Sequence, residues 1–208
     1  MKREYKIAGF GGQGILFLGQ VLAYAGMQSG LESCWIPSYG PEMRGGTANC
    51  QVVLSDRRVR SPLVYNPDVA LIFNKPSLER FSPDVKPGGI VVLVSDLIDT
   101  SPGRSDIAVY AVPAKSLADA AGEPATLNMV VAGALLAVDP LLRREDVEAA
   151  IWKVTPPHRQ RMVAVNLRAL DQGVDWVRAH PAEGTTGAEN AANAAGAVGV
   201  VGMAKGAR

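Results

Sequence analysis

Ile7-Ala8-Gly9-Phe10-Gly11-Gly12-Gln13-Gly14-Ile15-Leu16 packs four glycines between two apolar segments. Tyr5 and Ile7 mark an apolar strand that runs into Gly9, Gly11, Gly12 and Gly14. Directly afterwards Ile15, Leu18, Val21, Leu22 and Ala25 recur at helical spacing on one face. The segment therefore reads as strand, tight turn and helix start in minimal length. Backbone N–H groups at a helix N-terminus, with no side chains in the way, form a seat for an anion.

Working outward, the first strand covers residues 2–9 and the helix 13–29, with Gly30 as its stop. A short second strand spans 33–37, and residues 38–46 (SYGPEMRGG) form a loop too rich in Gly and Pro for a regular element. A third strand follows over 47–55. The continuous apolar runs 69–74 (VALIFN) and 90–95 (IVVLVS) predict strands covered on both faces. A further strand is expected at 107–112, and helices at 76–81, 114–121, 127–138, 143–153 and 159–177. Gly133 in the apolar 127–138 helix suits a close helix crossing.

Strands alternating with helices predict an α/β, Rossmann-like fold: a mostly parallel sheet with helices on both faces. Residues 1–180 form the domain, and the Ala/Gly-rich stretch 181–208 reads as a flexible tail. The glycine turn then sits at the carboxyl end of the first strand, where open α/β sheets bind ligands. The 38–46 loop follows the second strand and is expected on the same sheet edge.

Composition narrows the function. A formal net charge of +1 over 208 residues gives no reason to expect nucleic acid or an anionic membrane as partner. No apolar run approaches the ~20 residues of a membrane span, and no secretory leader is evident. The two cysteines, Cys34 and Cys50, form no Cys-x-x-Cys, and their sparseness suits a reducing compartment. These features together predict a soluble cytoplasmic protein.

Gly9, Gly11 and Gly14 satisfy Gly-x-Gly-x-x-Gly in the strand–turn–helix context of a dinucleotide-type fold. A nicotinamide site also wants an acidic residue at the end of the second strand, about 20 residues on. Here that strand ends at Pro37-Ser38, and Glu32 lies at its start. No Lys-Ser/Thr pair follows the glycines, which argues against nucleotide hydrolysis. There is no His-Glu-x-x-His or Cys/His cluster for a metal and no Gly-x-Ser-x-Gly elbow. His158, after Pro156-Pro157, reads as a helix-start residue. No catalytic constellation emerges.

The second informative stretch is the loop itself. Arg44, followed by Gly45-Gly46, can reach a phosphate or carboxylate bidentately with little steric cover. Gly9, Gly11, Gly12, Gln13, Gly14, Ser38, Tyr39, Arg44, Gly45, Gly46 and Thr47 are thus the candidate binding residues. Two alternatives stay open: Glu42 and Arg44 form an exposed ion pair, or the glycines serve packing alone. Asn128 is either a polar contact or a helix N-terminal residue.

Gly9-Phe10-Gly11-Gly12-Gln13-Gly14, then Ser38-Tyr39-Gly40-Pro41-Glu42-Met43-Arg44-Gly45-Gly46-Thr47-Ala48-Asn49-Cys50 and Ser61-Pro62, with Asn128-Met129-Val130 and Gly133-Ala134, resembles the gamma subunit of 2-oxoacid:ferredoxin oxidoreductases. Within that family the 2-oxoglutarate (KorC-like) type matches best, and the similarity spans residues 4–178. The indolepyruvate oxidoreductase small subunit is a near relative and an alternative. A stand-alone nicotinamide-dependent dehydrogenase is another.

The resemblance implies oxidative decarboxylation of a 2-oxoacid on thiamine diphosphate. Electrons pass through iron–sulfur clusters to ferredoxin, and the acyl group passes to coenzyme A. It further implies that thiamine diphosphate, Mg and the clusters lie on partner alpha and beta subunits and a ferredoxin-like delta subunit. This chain would then help to bind coenzyme A. The cysteine count agrees, because a cluster draws on more thiolates than the two present.

Overall fold

The structure, a computed structural model, describes residues 1–38 and 47–182. Strand β1 (Lys2–Phe10) leads into helix α1 (Ile15–Gln28), followed by β2 (Glu32–Ser38), β3 (Thr47–Ser55) and β4 (Val69–Ile72). Then come α2 (Lys75–Phe81), β5 (Ile90–Val94), β6 (Ala108–Val112), α3 (Ala114–Ala120), α4 (Leu127–Val138), α5 (Arg144–Val154) and α6 (Val163–Ala179). The six strands form one sheet in the order β2-β3-β1-β4-β5-β6.

The pairings β1–β4, β4–β5 and β5–β6 are parallel, whereas β1–β3 and β2–β3 are antiparallel. Chain length explains the difference. A parallel pair needs a crossover of a dozen or more residues, and the 39–46 connection is shorter than that. β3 therefore turns back beside β2 and inserts between it and β1, with Ser38 opposite Asn49 and Phe10 opposite Thr47. Because both β1 and β2 run antiparallel to β3, they point the same way and end on the same sheet edge.

Helices cover both faces, but unequally. Tyr5, Ile7, Val52, Leu71 and Val92 face a large core shared with residues of α1, α3, α4, α5 and α6. Ala8, Ala70, Ile72, Val91 and Val109 face a smaller core closed by Leu78 of α2 and by Val85 and Ile98. Eight consecutive α4 residues, Asn128–Leu135, are buried, as expected of a helix enclosed on all sides. The close crossing expected at Gly133 is present. A Cβ on Gly133 would overlap the Leu170 carbonyl oxygen, and one on Gly173 would overlap the Val130 carbonyl oxygen.

At the far end of α4, Asp139 receives both Arg3 guanidinium hydrogen bonds at 3.1 Å and the Tyr5 hydroxyl at 3.0 Å. This ties the last turn of the most buried helix to the start of β1. The predicted 159–177 helix begins later: Pro157–Met162 is a 3-10 segment carrying His158, and the α-helix starts at Val163. Helix α6 ends at Ala179, and residues 183–208 of the expected tail lie outside the described residues.

Candidate functional site

The glycine turn lies where the sheet changes direction. From the carboxyl end of β1 the chain enters α1 on the larger core side. From the neighbouring carboxyl end of β4 it enters α2 on the other side. Such a topological switch point is the ligand crevice of open α/β sheets.

Four of the five expected turn residues, Gly9, Gly12, Gln13 and Gly14, have a definable feature. Gly9 is forced by space: a Cβ there would stand 2.6 Å from the Phe73 Cβ and 2.9 Å from Ile15 Cδ1. Gly12 and Gly14 take the left-handed region, with φ of 96° and 75°. A Cβ on Gly12 would meet nothing within 4 Å among the described residues, so none of them covers that side of the turn. Gly11 and Gly12 are both exposed.

Gln13, expected among the binding residues, is engaged within the turn. Its Oε1 accepts from the Phe10 N–H at 2.6 Å, and its Nε2 donates to the Phe73 carbonyl at 3.2 Å. One side chain thus closes the turn and fastens it to the end of β4. Gly14 is the N-cap of α1, and the helical ladder begins with Leu18 N–H donating to the Gly14 carbonyl at 3.0 Å. The N–H groups of Ile15, Leu16 and Phe17 precede any helical acceptor. The first turn of α1 carries no acidic residue and no side-chain cap. The positive end of the helix is therefore presented without a competing anion of its own.

Two residues complete the crevice. Asn128, in the first turn of α4 and 4% exposed, donates through Nδ2 to the Gly14 carbonyl at 3.1 Å. It is the polar contact that the sequence left open, and it braces the turn from beneath. Asn74, past the end of β4, caps α2 by accepting from the Ser77 N–H at 2.9 Å. Its side chain is buried and its Nδ2 has no hydrogen-bond partner among the described residues. Sequence reading missed Asn74, although the Asn74-Lys75-Pro76 order is a helix-start signal.

Ser38 and Thr47, the two ends of the second loop, are exposed on the same edge as the glycine turn, as the topology predicted. Tyr39, Arg44, Gly45 and Gly46 lie outside the described residues. The second strand ends at Ser38 with Glu32 at its opposite end, so the ribose-holding acid of a nicotinamide site has no counterpart at that position.

The thiols do not form a cluster site. Strand alternation puts Cys50 on the larger core side and Cys34, opposite Val53, on the other. Burial pushes the Cys50 thiol up to about 12, and its Sγ lies 3.5 Å from the Ile15 carbonyl. Among the described residues no three His, Cys, Asp or Glu side chains converge to hold a metal ion. The donor set does not fit an iron–sulfur cluster on this chain.

The fold and site define a doubly wound α/β domain with a glycine-rich turn at its switch point. The chain matches the pyruvate ferredoxin/flavodoxin oxidoreductase family over residues 4–176, and it belongs to that family. It is 41% identical over 174 residues to the ketoisovalerate oxidoreductase subunit VorA of Methanothermobacter marburgensis, covering 83% of this chain and 36% of that one. It thus spans about a third of the length of that relative. It is 32% identical over 178 residues to the 2-oxoglutarate synthase subunit KorC of Methanocaldococcus jannaschii, covering 84% of this chain and 94% of KorC. Among solved structures, it resembles 2-oxoglutarate:ferredoxin oxidoreductase from Magnetococcus marinus with 2-oxoglutarate, coenzyme A and succinyl-CoA bound. The TM-score is 0.78 at 25% identity, covering 88% of this chain and 32% of that one. No described helix is long and apolar enough to cross a membrane.

Proposed function

We propose that this chain is the gamma-type subunit of a cytoplasmic 2-oxoacid:ferredoxin oxidoreductase and is not catalytic alone. Its part is to seat phosphate groups of coenzyme A at the Gly9–Gly14 turn and the Arg44 loop, and to hold partner subunits. The observation that carries the reading is the open glycine turn at the unneutralised start of α1. Backbone N–H groups and an arginine are the donors that a phosphorylated adenosine requires. The coenzyme A in the Magnetococcus relative supports the choice of ligand.

When bound, thiamine diphosphate with Mg supplies the decarboxylation chemistry and iron–sulfur clusters carry the electrons to ferredoxin. In this proposal both belong to alpha, beta and delta partners. This chain's residues bind and orient the acyl acceptor: the Gly12 backbone stays clear, Gln13 and Asn128 hold the turn in shape, and Arg44 clamps the anion. The near-complete match to KorC favours 2-oxoglutarate as the substrate of the complex, and the higher identity to VorA favours a branched-chain 2-oxoacid.

The test is reconstitution. The purified chain alone should reduce no ferredoxin with any 2-oxoacid and coenzyme A, and the complex that contains it should. Activity of the chain alone, or full coenzyme A-dependent activity of the complex without it, would refute the proposal. Comparing 2-oxoglutarate with 2-oxoisovalerate in the same assay decides the substrate.

A further inference from the structure

Lys6 lies in the middle of β1, on the face turned away from most of the helices, and is 8% exposed. A lysine so buried is ordinarily paired with a carboxylate. Among the described residues Lys6 has no such pair. Its Nζ donates to Asn49 Oδ1 at 3.3 Å and sits 4.7 Å from the centroid of the Phe81 ring. Arg80 approaches the same ring at 5.5 Å. Asp84, the carboxylate among the described residues that acts on Lys6, is 3.5 Å from Arg80. Arg80 and Asp84 offset each other, and the charge on Lys6 is left over. Among the described residues Asn49 is its one hydrogen-bond acceptor, which leaves two of its three ammonium protons for another.

Lys6 lines a cavity of about 260 Å³ with Gln51, Tyr65, Arg80, Phe81 and Asp84. Gln51 is already committed, since its Oε1 accepts from the Val64 N–H at 2.6 Å. At the mouth, Leu63 and Tyr65 are 48% and 75% exposed, so the rim is apolar where the interior is cationic. Burial, with Arg80 adding to it, lowers the Lys6 ammonium below the ordinary lysine range, against the opposing pull of Asp84. A buried ammonium without a counter-ion is costly, and an incoming anion would offset that cost.

We propose that this pocket is a carboxylate-binding site in which Lys6 is the counter-ion. A single unbalanced positive charge matches a single negative one, and the apolar walls suit the carbon body of an acid. A phosphate would bring more charge than the pocket balances. The volume is below the ~300–1,000 Å³ of sites that take drug-sized ligands, so it admits a small organic acid or one acidic side chain. The site lies on β1 about 10 Å from the glycine turn, judged from the ~3.3 Å rise per residue, and it is independent of coenzyme A. The carboxylate has two sources: a free small acid, or an Asp or Glu side chain of a partner chain. Only the second rests on the subunit reading.

The experiment measures acetylation of Lys6 by an N-hydroxysuccinimide ester, read by peptide mass spectrometry from pH 7 to 11, with Lys2 and Lys75 as exposed references. It is run on the full chain alone, with propionate, with inorganic phosphate, and on the purified complex. A bound carboxylate slows labelling several-fold and moves the Lys6 midpoint upward. The shift is expected with propionate if the source is a free acid, or only in the complex if it is a partner's side chain. No shift in either arm overturns the proposal, and so does slower labelling in the complex at an unchanged midpoint, which is simple covering. An equal shift with phosphate also overturns it, since the site would then not select carboxylate. Lys6→Met should fold with a raised Tm and, if the source is a free acid, lose the Tm increase that propionate gives the native chain. A propionate effect that survives in Lys6→Met overturns the proposal as well.

Discussion

If Asn128 braces the glycine turn from beneath, Gly14→Ala and Asn128→Ala must be coupled. Gly14 has φ of 75°, and a Cβ there would overlap the Asn128 side-chain amide. The left-handed conformation costs alanine about 1–2 kcal/mol. Displacing Asn128 forfeits its 3.1 Å hydrogen bond to the Gly14 carbonyl and its packing, worth about 1–2 kcal/mol together. Gly14→Ala should therefore cost about 2–4 kcal/mol.

Asn128→Ala alone should cost about 1–2 kcal/mol. It is not more, because the Gly14 carbonyl keeps the Leu18 N–H at 3.0 Å. In the double variant the displaced contact is lost only once. Its cost should fall short of the sum of the single costs by about 1–2 kcal/mol, well beyond ordinary additivity error. Urea unfolding of the four proteins, followed by circular dichroism, measures this. Strict additivity, within about 0.5 kcal/mol, would mean that Asn128 does not press on Gly14 and that the brace is absent.

The helix crossing gives a second prediction: Gly133→Ala and Gly173→Ala should each cost about 3 kcal/mol or more in thermal unfolding, because the added methyl meets backbone rather than a side chain. A cost under about 1 kcal/mol would show that α4 and α6 are not so close. Asp146 should make stability fall in acid. The Arg143 guanidinium, 2.8 Å away, and the Ser29 hydroxyl hold its carboxyl below the usual aspartate range. Its stabilisation is complete above the unfolded aspartate value near ~4 and is lost as pH falls through the lower folded value. The Tm gap between the native chain and Asp146→Asn should thus be constant from pH 7 to 5 and close below pH ~4; a gap that persists there refutes the pairing. Cys50, pushed up to about 12, should resist iodoacetamide at pH 8 in the native chain and react once urea unfolds it. Stoichiometric labelling of the native protein would contradict its burial.

Much of this domain was legible in the sequence because its signals are local. The Gly9–Gly14 turn, the apolar runs of β4 and β5 and the periodicity of α1 each lie within one stretch of chain. What was not legible depends on partners distant in sequence. Gln13 looked like a ligand contact, and nothing around it announces the Phe73 carbonyl that holds it. Asn128 was ambiguous because its acceptor is 114 residues away. The antiparallel insertion of β3 followed from loop length and not from strand pattern, since a half-buried strand alternates in the same way in either orientation. The unpaired Lys6 was invisible for the same reason: one lysine in an alternating strand reads as an outward residue until α2 and the 63–65 segment close over it. The Arg44 loop, the most specific motif after the glycine turn, is carried by the resemblance and by the position of its two ends.

The most direct measurement is equilibrium binding of coenzyme A to the assembled complex, by calorimetry, with the native chain and with Arg44→Ala. Loss of a charge-assisted phosphate contact of about 1.5–3 kcal/mol predicts a Kd roughly 10- to 150-fold weaker. Gly12→Ala should weaken binding too, since a methyl would stand on the open backbone of the turn. Unchanged affinity in both variants would contradict a phosphate seat on this chain and leave the glycine turn a packing device.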